Sequence, residues 1–201
     1  MSLKPSQLST LMVGQCYARA IRGTAINRFC QAMSEGIIES FKEMNKVVSV
    51  DVGIAAVGKG TGKIIGITPQ QLIQITTPLL YANGIRGTKA KDLSEAVCTA
   101  VVMHFLAMAV SKTNHTGVAV GSGVGQILNL IPSKMTQKLT TKMMGKQISG
   151  VSIVPLVKAF SQGFCIYMMA AAKVTIAIVG SPVLVLGVPI PSGGSGKGKI
   201  E

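Results

Sequence analysis

The chain has 201 residues, enough for one domain with a substantial buried core or for two small ones. Lysine and arginine number 20 against 7 acidic residues, and the net charge of +13 is spread along the chain, so its surface will seek anions: nucleic acid, an acidic membrane or an acidic protein lattice. Aromatic residues make up only 4% and no basic run alternates with stacking side chains, which disfavours nucleic acid, while 23 glycines, 11 methionines and no tryptophan suit an assembly component with tight turns and adaptable packing.

In chain order the elements come as three near-copies, 5–68, 69–131 and 132–201, within a single domain spanning 1–201. Pro5, Pro69 and Pro132 recur 64 and 63 residues apart, each three residues before Leu8, Leu72 or Met135 and 18 before Gly23, Gly87 or Gly150. Proline is well placed in the first turn of a helix, where its missing N–H costs nothing. Pro69 to Asn83, with Leu72, Ile73, Ile75, Leu79 and Leu80, therefore reads as a short helix that Gly84 can stop in the left-handed conformation. Pro78 inside it predicts a kink or a restart. The phrases Ile21-Arg22-Gly23-Thr24, Ile85-Arg86-Gly87-Thr88 and Ile148-Ser149-Gly150-Val151 follow.

A longer helix is expected next in each copy, over Ala25 to Lys46, Lys89 to Lys112 and Val154 to Lys173, because apolar positions such as Leu93, Val97, Val101, Phe105 and Met108 recur at three and four. Within these helices Ser34-Glu35-Gly36, Ser94-Glu95-Ala96 and Ser161-Gln162-Gly163 form another shared phrase. Copy two has four fewer residues before it, about one helical turn, a deletion that would preserve the buried face. β-Branched stretches follow at Val47 to Val57, Thr116 to Val120 and Val174 to Val188. Each then reaches a glycine-rich loop: Gly58, Gly60 and Gly62; Gly121, Gly123 and Gly125; Gly194, Gly196 and Gly198. The unit reads as helix, helix and glycine-rich β-hairpin, an α+β fold.

Copy three stops at Ile200-Glu201, where its second strand should continue towards the next proline, and Leu3 stands two before Pro5 as Ile67 does before Pro69 and Leu130 before Pro132. The expectation is that the first few residues complete the last hairpin and close the copies into a pseudo-threefold ring. An open solenoid would instead need capping repeats of polar character, and neither end has that character.

No catalytic, cofactor or metal site emerges. Gly58 to Lys63 invites a phosphate-loop reading, but the nucleotide motif needs G-x-x-x-x-G-K-S/T between a strand and a helix, and Ile64 follows here. Cys16, Cys30, Cys98 and Cys165 show no C-x-x-C and no histidine at metal-ligand spacing, so they read as buried apolar cysteines. His104, aligned through the serine phrase with Met44 and Ala171, reads as a core or edge histidine, and His115 as a turn residue beside Asn114, in a formal sequon ending at Thr116 that lacks a secretory context. Glu35, Glu39 and Glu43 fall at helical spacing and read as a solvated or partner-facing stripe. Met1 to Leu11 has no leader-like pattern, which predicts an intracellular start. The apolar runs Ala96 to Ser111 and Val174 to Gly196 are too short or too broken for the roughly 20 residues of a membrane span.

The phrases at Ile21 to Thr24, Ala32 to Ile37 and Gly58 to Ile67 resemble tandem-repeat structural proteins of large tailed-phage virions, with weaker echoes in the other two copies. The resemblance implies a non-enzymatic virion protein, assembled in the host cytoplasm and binding other virion proteins, with tail or baseplate favoured over capsid. It implies neither cofactor nor membrane span, and a homo-oligomer or a place on a symmetry axis. The candidate assembly contacts are Lys59, Lys63, Lys197 and Lys199 in the glycine phrases, together with Pro182, Pro189 and Pro191 in an excursion, Gly180 to Pro191, peculiar to copy three. The alternative is a basic scaffold binding DNA or an anionic membrane surface, with the glycine phrases as anion nests. A weaker third reading is a small membrane-active protein.

Overall fold

The computed structural model describes residues 3–53, 57–116, 120–180, 183–185, 188–190 and 192–201. Three short helices, α1 (Pro5–Tyr17), α3 (Pro69–Ala82) and α5 (Pro132–Gly145), each begin on a proline. They also end alike. Ala20, Gly84 and Gln147 take positive φ of 58°, 78° and 53°, and the N–H groups of Ile21, Ile85 and Ile148 reach back to the carbonyls of Cys16, Leu80 and Met143 at 2.9–3.0 Å. This satisfies carbonyls that the helix end would orphan and tucks each isoleucine against the core. Gly23, Gly87 and Gly150, two residues on, have φ of +128°, +107° and +148°, a region closed to most side chains, so the Ile-x-Gly phrase is a helix stop and restart.

The long helices α2 (Thr24–Met44), α4 (Thr88–Met108) and α6 (Ile153–Ala171) follow. Each helix packs on the next in the chain and α6 packs back on α1. Phe41, Phe105 and Phe164, one from each long helix, meet in the centre with ring centroids 4.6, 6.2 and 6.2 Å apart. Edge-to-face contacts of this kind add about 0.5–1.5 kcal/mol per pair beyond burial. β1 (Lys46–Gly53), β2 (Val57–Ile65), β3 (Val110–Thr116), β4 (Val120–Leu128), β5 (Lys173–Gly180) and β8 (Ser192–Ile200) form one closed antiparallel barrel. Between β5 and β8 a separate hairpin pairs β6 (Val183–Val185) with β7 (Val188–Ile190). Val47, Ile64, Ile127, Val174 and Ile200, at one end of the barrel, are buried in the same core as the helices, so the barrel stands on the helical layer.

Several expectations are corrected. The glycine phrases are not turns: they lie within β2, β4 and β8. Helix α4 stops at Met108, and β3 begins at Val110 rather than Thr116, because Ser111, Thr113 and His115 alternate inward along β3. There is no four-residue deletion in the second long helix; α2 and α4 both have 21 residues, and the serine phrase had paired non-equivalent positions. α3 runs through Pro78 without a restart, with Pro78 and Gln74 both exposed. Leu3 and Lys4, the first described residues, add no strand either. β8 is already flanked by β1 and β5, and Asn45 caps its end through Ile200: the Asn45 amide donates to the Ile200 carbonyl at 3.2 Å and the Ile200 N–H donates to Asn45 Oδ1. Leu3 instead inserts into the core, and the Lys4 N–H donates to the Tyr167 hydroxyl at 2.7 Å, which donates to the Lys4 carbonyl at 3.0 Å.

Candidate functional site: the barrel lumen and its basic outer wall

A six-stranded barrel is narrower than the eight-stranded size whose interior side chains just fill. Only alternate strands can therefore send side chains inward. β1 contributes Val47, Ser49 and Asp51, β3 contributes Ser111, Thr113 and His115, and β5 contributes Val174, Ile176 and Ile178. The strands between them place glycine opposite: Gly58, Gly60 and Gly62; Gly121, Gly123 and Gly125; Gly194, Gly196 and Gly198. A Cβ on Gly60 would stand 1.9 Å from Asp51 Oδ1, one on Gly58 2.2 Å from His115 Cε1, and one on Gly196 2.3 Å from Ser49 Oγ. The glycines are thus the space that the lumen side chains occupy, and they are not aligned as an anion cradle.

Within the lumen Ser49 Oγ donates to Asp51 Oδ2 at 2.8 Å, and Asp51 Oδ1 lies 3.3 Å from His115 Nε2. Both side chains of the acid–histidine pair are fully buried. His115, expected in a turn, is drawn inward by the strand alternation that the sequence reading began too late. Serine, aspartate and histidine are together here, with the serine hydroxyl bonded to the acid. The cluster is also sealed: Ser49, Asp51 and His115 are 0–4% or less exposed.

The outer wall has the opposite character to what amphipathic strands lead one to expect. Along β1 the polar Ser49 and Asp51 point in, while Val48, Val50 and Val52 point out, Val50 being 70% exposed. Lys63 and Lys197 flank Val48, and Lys59 lies beside Val52. Seven lysines, Lys46, Lys59, Lys63, Lys112, Lys173, Lys197 and Lys199, are exposed on the barrel strands, and Asp51, their only acid, is turned inward. Glu201, just past β8, takes Lys199 at 2.9 Å. Across β2, β3, β4 and the start of β5 the wall forms a concavity of about 750 Å³ lined by Lys59, Lys112, Lys173 and Val124 among others.

Of the residues singled out from sequence, Lys59, Lys63, Lys197 and Lys199 do share this wall. Pro189 lies in β7, opposite Leu184, and Pro182 and Pro191 are outside the described residues. Sequence reading missed Lys46, Lys112, Lys173 and the outward valines. The signal was present as the strict alternation of Val48 to Val52 with Ser49 and Asp51, but which face was inside could not be read from it. The four cysteines are free and buried, as expected. A hydrogen bond with Cys30 holds Cys16 below the usual thiol range, and the same contact pushes Cys30 up. No protein-family model, curated protein or solved structure matches the chain.

Proposed function

We propose that this chain is a non-enzymatic structural protein of a tailed-phage virion, built as three tandem copies closed into a pseudo-threefold ring, which joins other virion proteins through the outer wall of its barrel. The observation that carries the reading is the inverted strand β1, with three valines in solvent beside lysines. Covering a valine is worth about 1.5–3 kcal/mol, so a surface laid on this strand would add to its stabilisation. The lysines select an acidic one. The ring is supported by the return of α6 onto α1 and of β8 onto β1. The non-enzymatic reading goes with the burial of the Ser49, Asp51 and His115 side chains.

A body with local threefold character can match a threefold or sixfold axis, which favours a tail or baseplate over a shell. α6 is long and apolar enough to cross a membrane by length and composition, but half of that stretch is buried against the other helices, and we read it as a core helix. The seven outward lysines equally favour the second reading, a scaffold on DNA or an anionic membrane surface. Mass spectrometry of nuclease-treated virions, with tails separated from heads, discriminates them. Fixed stoichiometry in one fraction is the expected result; absence from both, with salt-dependent retention on DNA, would transfer the proposal to the scaffold reading.

A further inference from the structure

His104, Met135 and Cys165 come from three different helices, α4, α5 and α6, and meet in the core. Cys165 Sγ lies 3.8 Å from His104 Nε2 and 3.7 Å from Met135 Sδ, and all three residues are fully buried. Metal bonds of about 2.0–2.3 Å to nitrogen and sulfur, opened to trigonal angles, separate neighbouring donors by about 3.5–4 Å. The two separations from Cys165 Sγ, to His104 Nε2 and to Met135 Sδ, fall in that range. Thiolate and thioether are soft ligands, and with imidazole they form a set that selects monovalent copper. We propose that His104 Nε2, Met135 Sδ and Cys165 Sγ form a binding site for a soft monovalent cation, copper(I), joining α4, α5 and α6.

The charge balance favours that ion over a divalent one. His104 and Cys165 are both fully buried. Cys165 is a free thiol. Binding breaks its S–H bond, forms a metal–sulfur bond and releases one proton to solvent. Copper(I) with one thiolate is then neutral, which a dry core tolerates, whereas a divalent ion would leave a buried positive charge. His104 Nδ1, with no hydrogen-bond partner among the described residues, is left on the far side of the ring from the sulfur.

The other two seams of the helical layer show what a purely structural contact there looks like. Counted from the helix ends, the same places hold Ser40, Leu72 and Val102 between α2, α3 and α4, and Tyr167, Leu8 and Ile38 between α6, α1 and α2. Three soft or nitrogen donors converge in one seam alone among these three.

The test uses the full chain, reduced and kept anaerobic, loaded with copper(I) as its acetonitrile complex and desalted. One copper per chain is expected, with an X-ray absorption shell of one nitrogen and two sulfurs. Cys165→Ala should lose the ion. Met135→Leu, which installs the residue that the other seams carry, should weaken retention while circular dichroism stays unchanged, and it decides the matter if Cys165→Ala fails to fold. Copper should also raise the melting temperature of the native chain and not that of Met135→Leu. The proposal is overturned if no copper is retained, or if Cys165→Ala and Met135→Leu keep it while Cys30→Ala loses it, which would put the ion on the Cys16–Cys30 pair. It stands independently of the virion reading.

Discussion

Replacing Gly198 by alanine tests the claim that glycines make room for the barrel lumen. Gly198 lies in β8, paired with Val47 on one side and Ile176 on the other. A Cβ there would stand 1.8 Å from the Thr175 carbonyl oxygen and 2.7 Å from Ile176 Cα, where real contacts stay beyond 3.0 Å. The obstacle is backbone, so no rotamer change relieves it, and a closed barrel has no free edge along which a strand can slide. Overpacking a core costs about 1–3 kcal/mol, and a backbone clash belongs at the upper end, about 3 kcal/mol. For a chain of this size each kcal/mol lowers the melting temperature by about 2–4 °C, so a fall of about 6–12 °C is expected. Gly193, in the same strand, has nothing within 4 Å of an added Cβ, and its alanine variant should change stability by no more than about 0.5 kcal/mol. Urea midpoints and calorimetry of both variants make the comparison. Equal stabilities for the two would refute the packing account of the glycine phrases.

Asp51→Ile removes the acid beside the buried His115 imidazole and should cost about 3–5 kcal/mol, whereas Asp51→Ile combined with His115→Ile should cost less than the sum of the two single changes, because the pair is then removed together. A double-mutant cycle by urea denaturation reads this, and additive losses would show that the two groups do not interact. His104, lowered to about 4 from an ordinary 6.5, binds its proton in the unfolded chain first. Its contribution is therefore intact above pH 6.5 and is lost as pH falls from 6.5 towards 4, by about 3 kcal/mol in total. His104→Gln should flatten that part of the stability profile, and an unchanged slope would mean that His104 titrates normally. On the virion proposal, Lys59→Glu, Lys112→Glu and Lys173→Glu together should abolish incorporation into particles with a melting temperature close to that of the native chain; normal incorporation would remove the outer wall as the contact surface.

The parts of the fold written in local backbone chemistry were legible. Proline at the helix starts and the Ile-x-Gly phrase at the helix joints follow from covalent constraints, and each landed where the sequence put it. Other features depended on where distant strands meet. A run such as Gly58 to Gly62 is a turn by composition and becomes a strand only because Asp51 and Thr113 fill the space its missing side chains leave. Likewise the alternation in β1 fixes two faces, but a polar lumen reverses the usual assignment of inside and outside, and the pairing of Asp51 with His115 spans two hairpins. The serine phrase misled for a related reason: a short match within a helix carries less positional information than the helix ends themselves.

The lumen also bears on why three copies would be joined in one chain. Asp51, His115 and Ile178 are each the sixth residue of β1, β3 and β5, and the three strands all project their side chains inward there. In a symmetric trimer the three would be the same residue. Three aspartates would force like charges into a dry space, and three histidines would overfill it or bury their protons without an acid. A single covalent chain removes that restriction, so one acid can face one imidazole with an aliphatic side chain filling the remainder. The same freedom allows donors to gather at His104, Met135 and Cys165 while the equivalent seams keep Leu8 and Leu72. On the tandem-copy reading, fusion keeps a threefold frame for assembly and lets the interior become asymmetric, which symmetric assembly from separate subunits cannot do.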